Sequence, residues 1–178
     1  MPNWCSNTLT LSHTDPKEID RAVDAFKKGE FLATLVPRPV AEEDNWYEWN
    51  VQNWGTKWDV GGTDSCDPVV DESGTTAQFG FDSAWAPPVA AYDYLVESGF
   101  EITAMYYEPG CAFAGIYNEN GDDCYDLTNM DSRQVAEDLP DELNECFGIA
   151  ETMAEYEDEE PLTEWYLDGV EEKGLKHE

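Results

Sequence analysis

The chain has 178 residues, of which 41% are hydrophobic, so it can bury a core and is not a disordered acidic tail. Forty Asp and Glu residues against nine Lys and Arg give a formal net charge of −31. This balance excludes an ordinary nucleic-acid binder and a protein attracted to anionic membranes, because both need a basic surface. The charge is also uneven, with −3 in residues 1–57 and −28 in residues 58–178.

The first 75 residues contain one clear strand and one clear helix. Alternation in NTLTLSH predicts a strand at residues 7–13. Residues 15–29 carry the signals of a helix: Asp15 as the cap, Pro16 at the first helical position and Gly29 as the stop. Residues 30–75 give a weak signal and are interpreted as loop with room for one short strand.

The next segment alternates strands with a second helix. TAQFGFDSA predicts a strand, residues 86–99 a helix opened by prolines, and EITAMYYE and AFAGIYN two further strands. NENGDD then predicts a hairpin with Asn120-Gly121 as a type I′ turn. This order predicts an α+β domain over residues 1–128: a ferredoxin-like antiparallel sheet with two helices on one face and an extra β-hairpin.

Residues 129–178 are predicted to be an acidic helical C-terminal extension. Apolar residues recur at helical spacing through residues 132–160, and Pro140 is expected to split them into a short helix and a longer one. The segment from Pro161 has a weaker helical pattern and is expected to fray.

Seven tryptophans raise the question of core or pocket. A nucleic-acid stacking platform would need a positive groove, which this chain lacks. We expect Trp54, Trp58 and Trp85 to be buried and structural, with the stem of Lys57 lying across a ring or its ammonium paired with Asp59. The alternative is a tryptophan-lined pocket for a peptide or a small ligand.

Four motifs resemble the YubB ferredoxin-like domain family of bacteriophage and conjugative-plasmid proteins. They are MPNWCSNTL at the start, NWGTKWD at 53–59, FGFDSAWAPP at 79–88 and YYEPGCAFAGIY at 106–117. The resemblance covers roughly residues 1–128 and implies a ferredoxin-like fold and an origin in a mobile element. It carries over no catalytic residue.

The sequence offers no support for enzyme chemistry. His13 and His177 have no obvious cysteine or serine partner, and there is neither a phosphate loop nor a dinucleotide fingerprint. Five cysteines without a C-x-x-C pair favour reduced thiols over a zinc site or disulfides. We therefore predict no catalytic residue, no metal and no cofactor. No apolar run approaches a membrane span and the N-terminus lacks signal-peptide features, which predicts a cytoplasmic protein.

The acidic extension suggests a function. Residues 133–160 hold eleven acids, and as one helix they would span about 42 Å at about 1.5 Å per residue. That density approaches the roughly 3.4 Å spacing of phosphates along a DNA strand. We predict that these acids bind a basic, nucleic-acid-binding host protein of defence, restriction or CRISPR type and inhibit it by mimicking nucleic-acid charge, without binding nucleic acid directly. The predicted partner-binding residues are Glu137, Asp138, Asp141, Glu142, Glu145, Glu151, Glu155 and Glu157.

The charge also has two alternative origins, and the sequence leaves both open. A charge run is usually a solvated helix face. A salt-adapted protein would also be acidic, although the lopsided charge, the excess of Lys over Arg and the five cysteines argue against it. The oligomeric state is likewise undetermined by the sequence.

Overall fold

The computed structural model describes residues 3–63 and 65–158. Contacts divide the described residues into two compact units, a first unit up to Thr128 and a second unit from Asn129 onward. The first unit holds one sheet of six strands with every pairing antiparallel, so the fold class is α+β with an antiparallel sheet, as the sequence predicts. The strands are β1 (Trp4–Ser12), β2 (Val69–Val70), β3 (Thr76–Ala84), β4 (Glu101–Glu108), β5 (Phe113–Asn118) and β6 (Gly121–Asp126). Their order in the sheet is β2-β3-β1-β4-β5-β6.

Four helices accompany this sheet: α1 (Pro16–Lys28), α2 (Phe31–Leu35), α3 (Trp46–Asn53) and α4 (Val89–Glu97). The ends of α1 follow local sequence rules. The Asp15 side chain accepts a hydrogen bond from the Lys17 N–H, Pro16 takes the first helical position, and Gly29 adopts a left-handed conformation with φ 72°. Glu18 does not complete a capping box but forms a salt bridge with Arg21 (3.0 Å).

The core of the first unit lies between one face of the sheet and helices α1, α2 and α4. Alternate residues of each central strand point to this face, which is why buried side chains alternate with half-buried or exposed ones along these strands. Members of this core include Leu9, Leu11, Ile19, Phe26, Phe31, Phe79, Tyr92, Leu95 and Ile102.

The interpretation of residues 30–75 as loop is wrong in part, because α2, a 3-10 turn at Val40–Glu42 and α3 all form there. The reason for α2 is non-local. Its N-terminus has no cap of its own, but the Asp59 carboxylate accepts hydrogen bonds from the N–H groups of Leu32 (2.7 Å) and Ala33 (2.9 Å). A cap supplied from so far along the chain gives no local sequence signal.

The predicted turn of the last hairpin is displaced by one residue. Asn118 pairs with Gly121, so the connecting residues are Glu119 and Asn120. A type I′ turn needs positive φ at both central residues, and neither has it; the positive φ (102°) falls on Gly121. Gly121 therefore provides the left-handed backbone conformation at the first residue of β6, and the two turn residues themselves do not need it.

The second unit contains α5 (Ser132–Asp138), α6 (Asp141–Phe147) and α7 (Ile149–Asp158). The expected break at Pro140 is present, but the expected long second helix is not. Gly148 adopts φ 60° and ends α6, and α7 starts anew and contacts α5. The helical spacing of apolar residues continues across Gly148, so the sequence pattern did not predict that α6 ends there. The segment from Pro161, together with His177, lies outside the described residues.

Candidate functional site

Trp54 is the tryptophan that serves the core of the first unit. Its ring is 3% exposed, and its indole Nε1 donates a hydrogen bond to the Val36 carbonyl (2.9 Å). It also packs edge-on against Trp49, with the ring centroids 5.8 Å apart. The hydrogen bond joins the end of α3 to the end of α2, whereas the ring contact lies within α3 and its C-cap.

The expectation that Trp58 and Trp85 are buried is wrong. Trp58 is 39% exposed and Trp85 is 48% exposed. Periodicity could not reveal this, because Trp58 lies in the irregular loop after α3 and Trp85 in the bend after β3, where residues follow neither a strand nor a helix period. Burial there depends on which elements happen to cover the loop.

Three exposed rings and the half-buried Lys57 instead form what is called here the aromatic surface, defined as Trp4, Tyr47, Lys57 and Trp58. The rings of Trp4 and Trp58 lie 6.0 Å apart at an angle of 43°. The Lys57 ammonium lies 4.6 Å from the centroid of Trp58 and 5.6 Å from that of Tyr47. Lys57 therefore bridges two rings as a cation–π contact and does not pair with Asp59, whose carboxylate accepts from backbone N–H groups.

The loop that presents Lys57 and Trp58 is held in place by polar side chains on both sides. Buried Asn50 donates to the Lys57 carbonyl (2.9 Å) and accepts from Arg38 (2.8 Å). Buried Thr56 donates to the Ala84 carbonyl (3.0 Å). These bonds fix the backbone of the loop that carries the exposed Trp58 and the half-buried Lys57. The sequence did not predict these roles of Asn50 and Thr56, whose only distinguishing feature was that they lie close to the tryptophans in the chain.

The backbone of Trp85 is hydrogen-bonded next to the aromatic surface and adopts a strained conformation. Its N–H donates to the Asn3 carbonyl (3.0 Å), next to Trp4. Its φ is 73°, which is costly for a bulky residue. An exposed tryptophan in a strained conformation is unusual for a residue whose role is packing.

Cys5, Asn7 and Ser83 form a buried polar cluster at the paired ends of β1 and β3. The Asn7 amide donates to Ser83 Oγ (2.9 Å), and Ser83 in turn donates to the Ala86 carbonyl (2.8 Å). Burial raises the pKa of the Cys5 thiol to about 12, so the thiol stays protonated and is a poor nucleophile. The cluster ties the strand ends to the turn before α4.

A buried carboxylate closes the turn within the YYEPGC motif. Glu108 is 1% exposed, and its two oxygens accept from the N–H groups of Gly110 (2.9 Å) and Cys111 (2.5 Å). Its hydrogen bond with the exposed Cys111 raises the pKa of that thiol. The arrangement stabilises a loop and leaves Cys111 less reactive than an ordinary cysteine.

The eight predicted partner-binding acids lie on three short helices of the second unit, and all eight are exposed. The straight row of about 42 Å expected from one continuous helix does not exist, because the chain breaks at Pro140 and Gly148. Glu137 and Asp138 lie at the end of α5, Asp141, Glu142 and Glu145 on α6, and Glu151, Glu155 and Glu157 on α7. The match to phosphate spacing along one axis is therefore lost, whereas the local density of charge is kept.

One of the eight acids has a structural task. Both oxygens of Glu157 accept hydrogen bonds from Ser132, one from its N–H (2.8 Å) and one from its hydroxyl (2.7 Å). Asp131 completes a capping box with Gln134 at the same helix end. Glu157 therefore fastens α7 to the start of α5.

Comparison with protein-family models, curated proteins and solved structures gives no match for this chain. Within the described residues, no group of three or more His, Cys, Asp or Glu side chains is placed to hold a metal ion. None of the helices in that same part of the chain is both long and apolar enough to cross a membrane.

Proposed function

We propose that the protein is a non-enzymatic inhibitor that binds a basic nucleic-acid-binding protein in the cytoplasm of a host cell. The carboxylates of the second unit would occupy the surface with which that partner holds DNA or RNA. The four sequence motifs suggest in addition that residues 1–128 belong to the YubB ferredoxin-like family and that the protein serves a bacteriophage or plasmid against host defence.

The observation that carries the proposal is the display of unneutralised charge on α5, α6 and α7. All eight carboxylates are exposed, and Arg133 is the single cation in residues 129–158. Among the described residues the structure has one salt bridge, and it lies in α1. Charges this dense repel one another and lower stability unless something else favours them. A basic partner would favour them.

Because the acids lie on three short helices and not on one long helix, the way in which they would mimic nucleic-acid charge differs from the sequence-based expectation. A continuous row of carboxylates could follow a groove at phosphate spacing, but three short helices form a compact cluster of charge. Such a cluster suits a concave basic patch of limited length. We therefore expect electrostatic steering and steep salt dependence, without a requirement for the register of a duplex.

The test is displacement of a labelled DNA duplex from purified candidate partners, such as a restriction endonuclease and a CRISPR effector complex, followed by fluorescence anisotropy. The test variant is Asp141→Asn, Glu142→Gln and Glu145→Gln combined. The matched control removes the same charge from exposed acids of the first unit, as Asp20→Asn, Asp24→Asn and Glu97→Gln. We expect the α6 variant to lose displacement by about tenfold or more and the control to stay close to the native protein.

Circular dichroism verifies that both variants fold. Undiminished displacement by the folded α6 variant would remove these acids from the interface. Equal losses in both variants would show that net charge acts diffusely and that α6 has no special role. Displacement that does not weaken between about 0.05 M and about 0.3 M salt would contradict an electrostatic contact.

A further inference from the structure

The aromatic surface of Trp4, Tyr47, Lys57 and Trp58 has no role in the function proposed above. Its tryptophans are 49% and 39% exposed, and Tyr47 is 50% exposed. The neighbouring Trp46 extends it, packing edge-on against Tyr47 at 5.8 Å and itself 39% exposed. Exposed side chains of this size in one connected group are typical of a binding surface, and Trp and Tyr dominate the energetics of such surfaces.

Carboxylates flank Trp46 and Tyr47 in the chain. Glu43, Asp44 and Glu48 are exposed and lie immediately before or within α3, beside Trp46 and Tyr47 in the chain. Lys57 is the single cation between Val40 and Val60, against five acids. An anionic ligand would meet repulsion here from the neighbouring carboxylates and from the net charge of −31. Charge complementarity therefore favours a cationic occupant.

The Lys57 contact shows which cation chemistry the rings accept. Its ammonium already lies against Trp58 and Tyr47, at 4.6 and 5.6 Å from their centroids. The exposed indole of Trp4 lies 6.0 Å from that of Trp58 and offers a further aromatic surface beside that ring. A guanidinium suits it better than an ammonium, because it is planar, stacks on aromatic rings and gives up its hydration more readily.

We propose that the aromatic surface binds an arginine-bearing basic segment of a protein partner, with guanidinium groups stacked on Trp4 and Trp58 and paired with the carboxylates of residues 43–48. The proposal rests on the function proposed above only in naming the same basic class of partner. It adds a second contact, one that depends on ring stacking and therefore resists salt better than the carboxylate cluster does.

The experiment is a titration of the full chain with an acetylated and amidated peptide, Gly-Arg-Gly-Arg-Gly, followed through the indole N–H signals in ¹⁵N-edited NMR spectra. We expect the signals of Trp4 and Trp58 to shift. The Trp54 indole should stay still, because it is buried and bonded to the Val36 carbonyl. Trp58→Phe identifies one signal and keeps a ring in place.

Matched changes in the peptide and in the protein separate the effect of charge from the effect of the rings. Replacing each arginine by citrulline removes the charge but keeps the shape, and should abolish the shifts. Trp58→Ala should weaken arginine-peptide binding by about fivefold or more. The control Tyr94→Ala, which removes a ring of similar exposure (45% against 39% for Trp58) from α4, should leave arginine-peptide binding unchanged.

The α6 variant Asp141→Asn, Glu142→Gln and Glu145→Gln keeps this test independent of the proposed function. If that variant loses DNA displacement but keeps the Trp4 and Trp58 shifts, both the inhibitor function and the arginine-binding surface are supported. If the native protein does not displace DNA while the shifts remain, only the inhibitor function is refuted. Equal shifts with the citrulline peptide would refute the cation–π contact. Shifts produced by oligothymidylate but not by the arginine peptide would make the surface a nucleic-acid platform and overturn the proposal.

Discussion

Alanine substitutions at Trp54 and at Trp58 should have very different effects on stability, although the two residues lie in one motif. Trp54 is 3% exposed, and its indole N–H is bonded to the Val36 carbonyl. Removing a buried tryptophan costs about 3–5 kcal/mol, and the carbonyl also loses its donor. At about 2–4 °C per kcal/mol for a chain of this size, Trp54→Ala should lower the melting temperature by about 6–20 °C.

Trp58 is 39% exposed, so water can fill much of the space its ring leaves. Its loss removes part of the buried area and the contact with Lys57, together about 1–2 kcal/mol or about 2–8 °C. The assay is thermal and urea unfolding followed by far-UV circular dichroism, which does not depend on tryptophan emission. Trp54→Phe, which keeps a ring but removes the N–H donor, should fall between the two alanine variants.

The reasoning is refuted if Trp58→Ala destabilises the protein as much as Trp54→Ala does. Such a result would mean that Trp58 packs as a core residue after all, and the aromatic surface would lose its claim to be a binding site. A native-like melting temperature for Trp54→Ala would contradict the assignment of Trp54 to the core.

Two further predictions concern a glycine contact and pH. Gly61→Ala should lower the free energy of unfolding in urea by about 2–4 kcal/mol, because φ is 94° and the new Cβ would collide with the Phe26 carbonyl oxygen. Gly80→Ala should leave that free energy unchanged, because Gly80 has open space around it and no positive φ. Equal losses of stability in the two variants would contradict this reasoning. Burial raises the pKa of Asp59, so its contribution to stability is present at low pH and is lost as pH rises through the folded-state pKa. The melting temperature should therefore rise as pH is lowered through that raised pKa toward the ordinary Asp value of 3.8, and should do so less in Asp59→Asn; an unchanged slope in the variant would contradict the assignment.

Several features of the fold could be predicted because their causes lie within a few residues. Alternation in β1, β3 and β4 follows from the two faces of a strand, and it predicted an antiparallel α+β fold. The ends of α1 follow from Asp15, Pro16 and Gly29. The break at Pro140 follows from its missing N–H. The ferredoxin-like topology and the family resemblance stay predictions.

The candidate site was less accessible from the sequence. The acids of the second unit were identifiable by count, but their arrangement was not, because Gly148 ends a helix inside an apolar pattern that continues across it. The role of Glu157 also escaped prediction, since its partner Ser132 is 25 residues away in the chain. Trp58 and Trp54 could not be told apart by residue type or by spacing.

The sequence by itself determined the charge, its concentration after residue 57, the strand alternation and the main helix punctuation. Only the tertiary structure decided which tryptophans are buried, that Asp59 caps α2, and that Lys57 lies against Trp58 and Tyr47. The physical reason is range. Backbone preference, capping and periodicity act between neighbouring residues, whereas burial and ring contacts depend on which distant segments meet, and no local pattern contains that information.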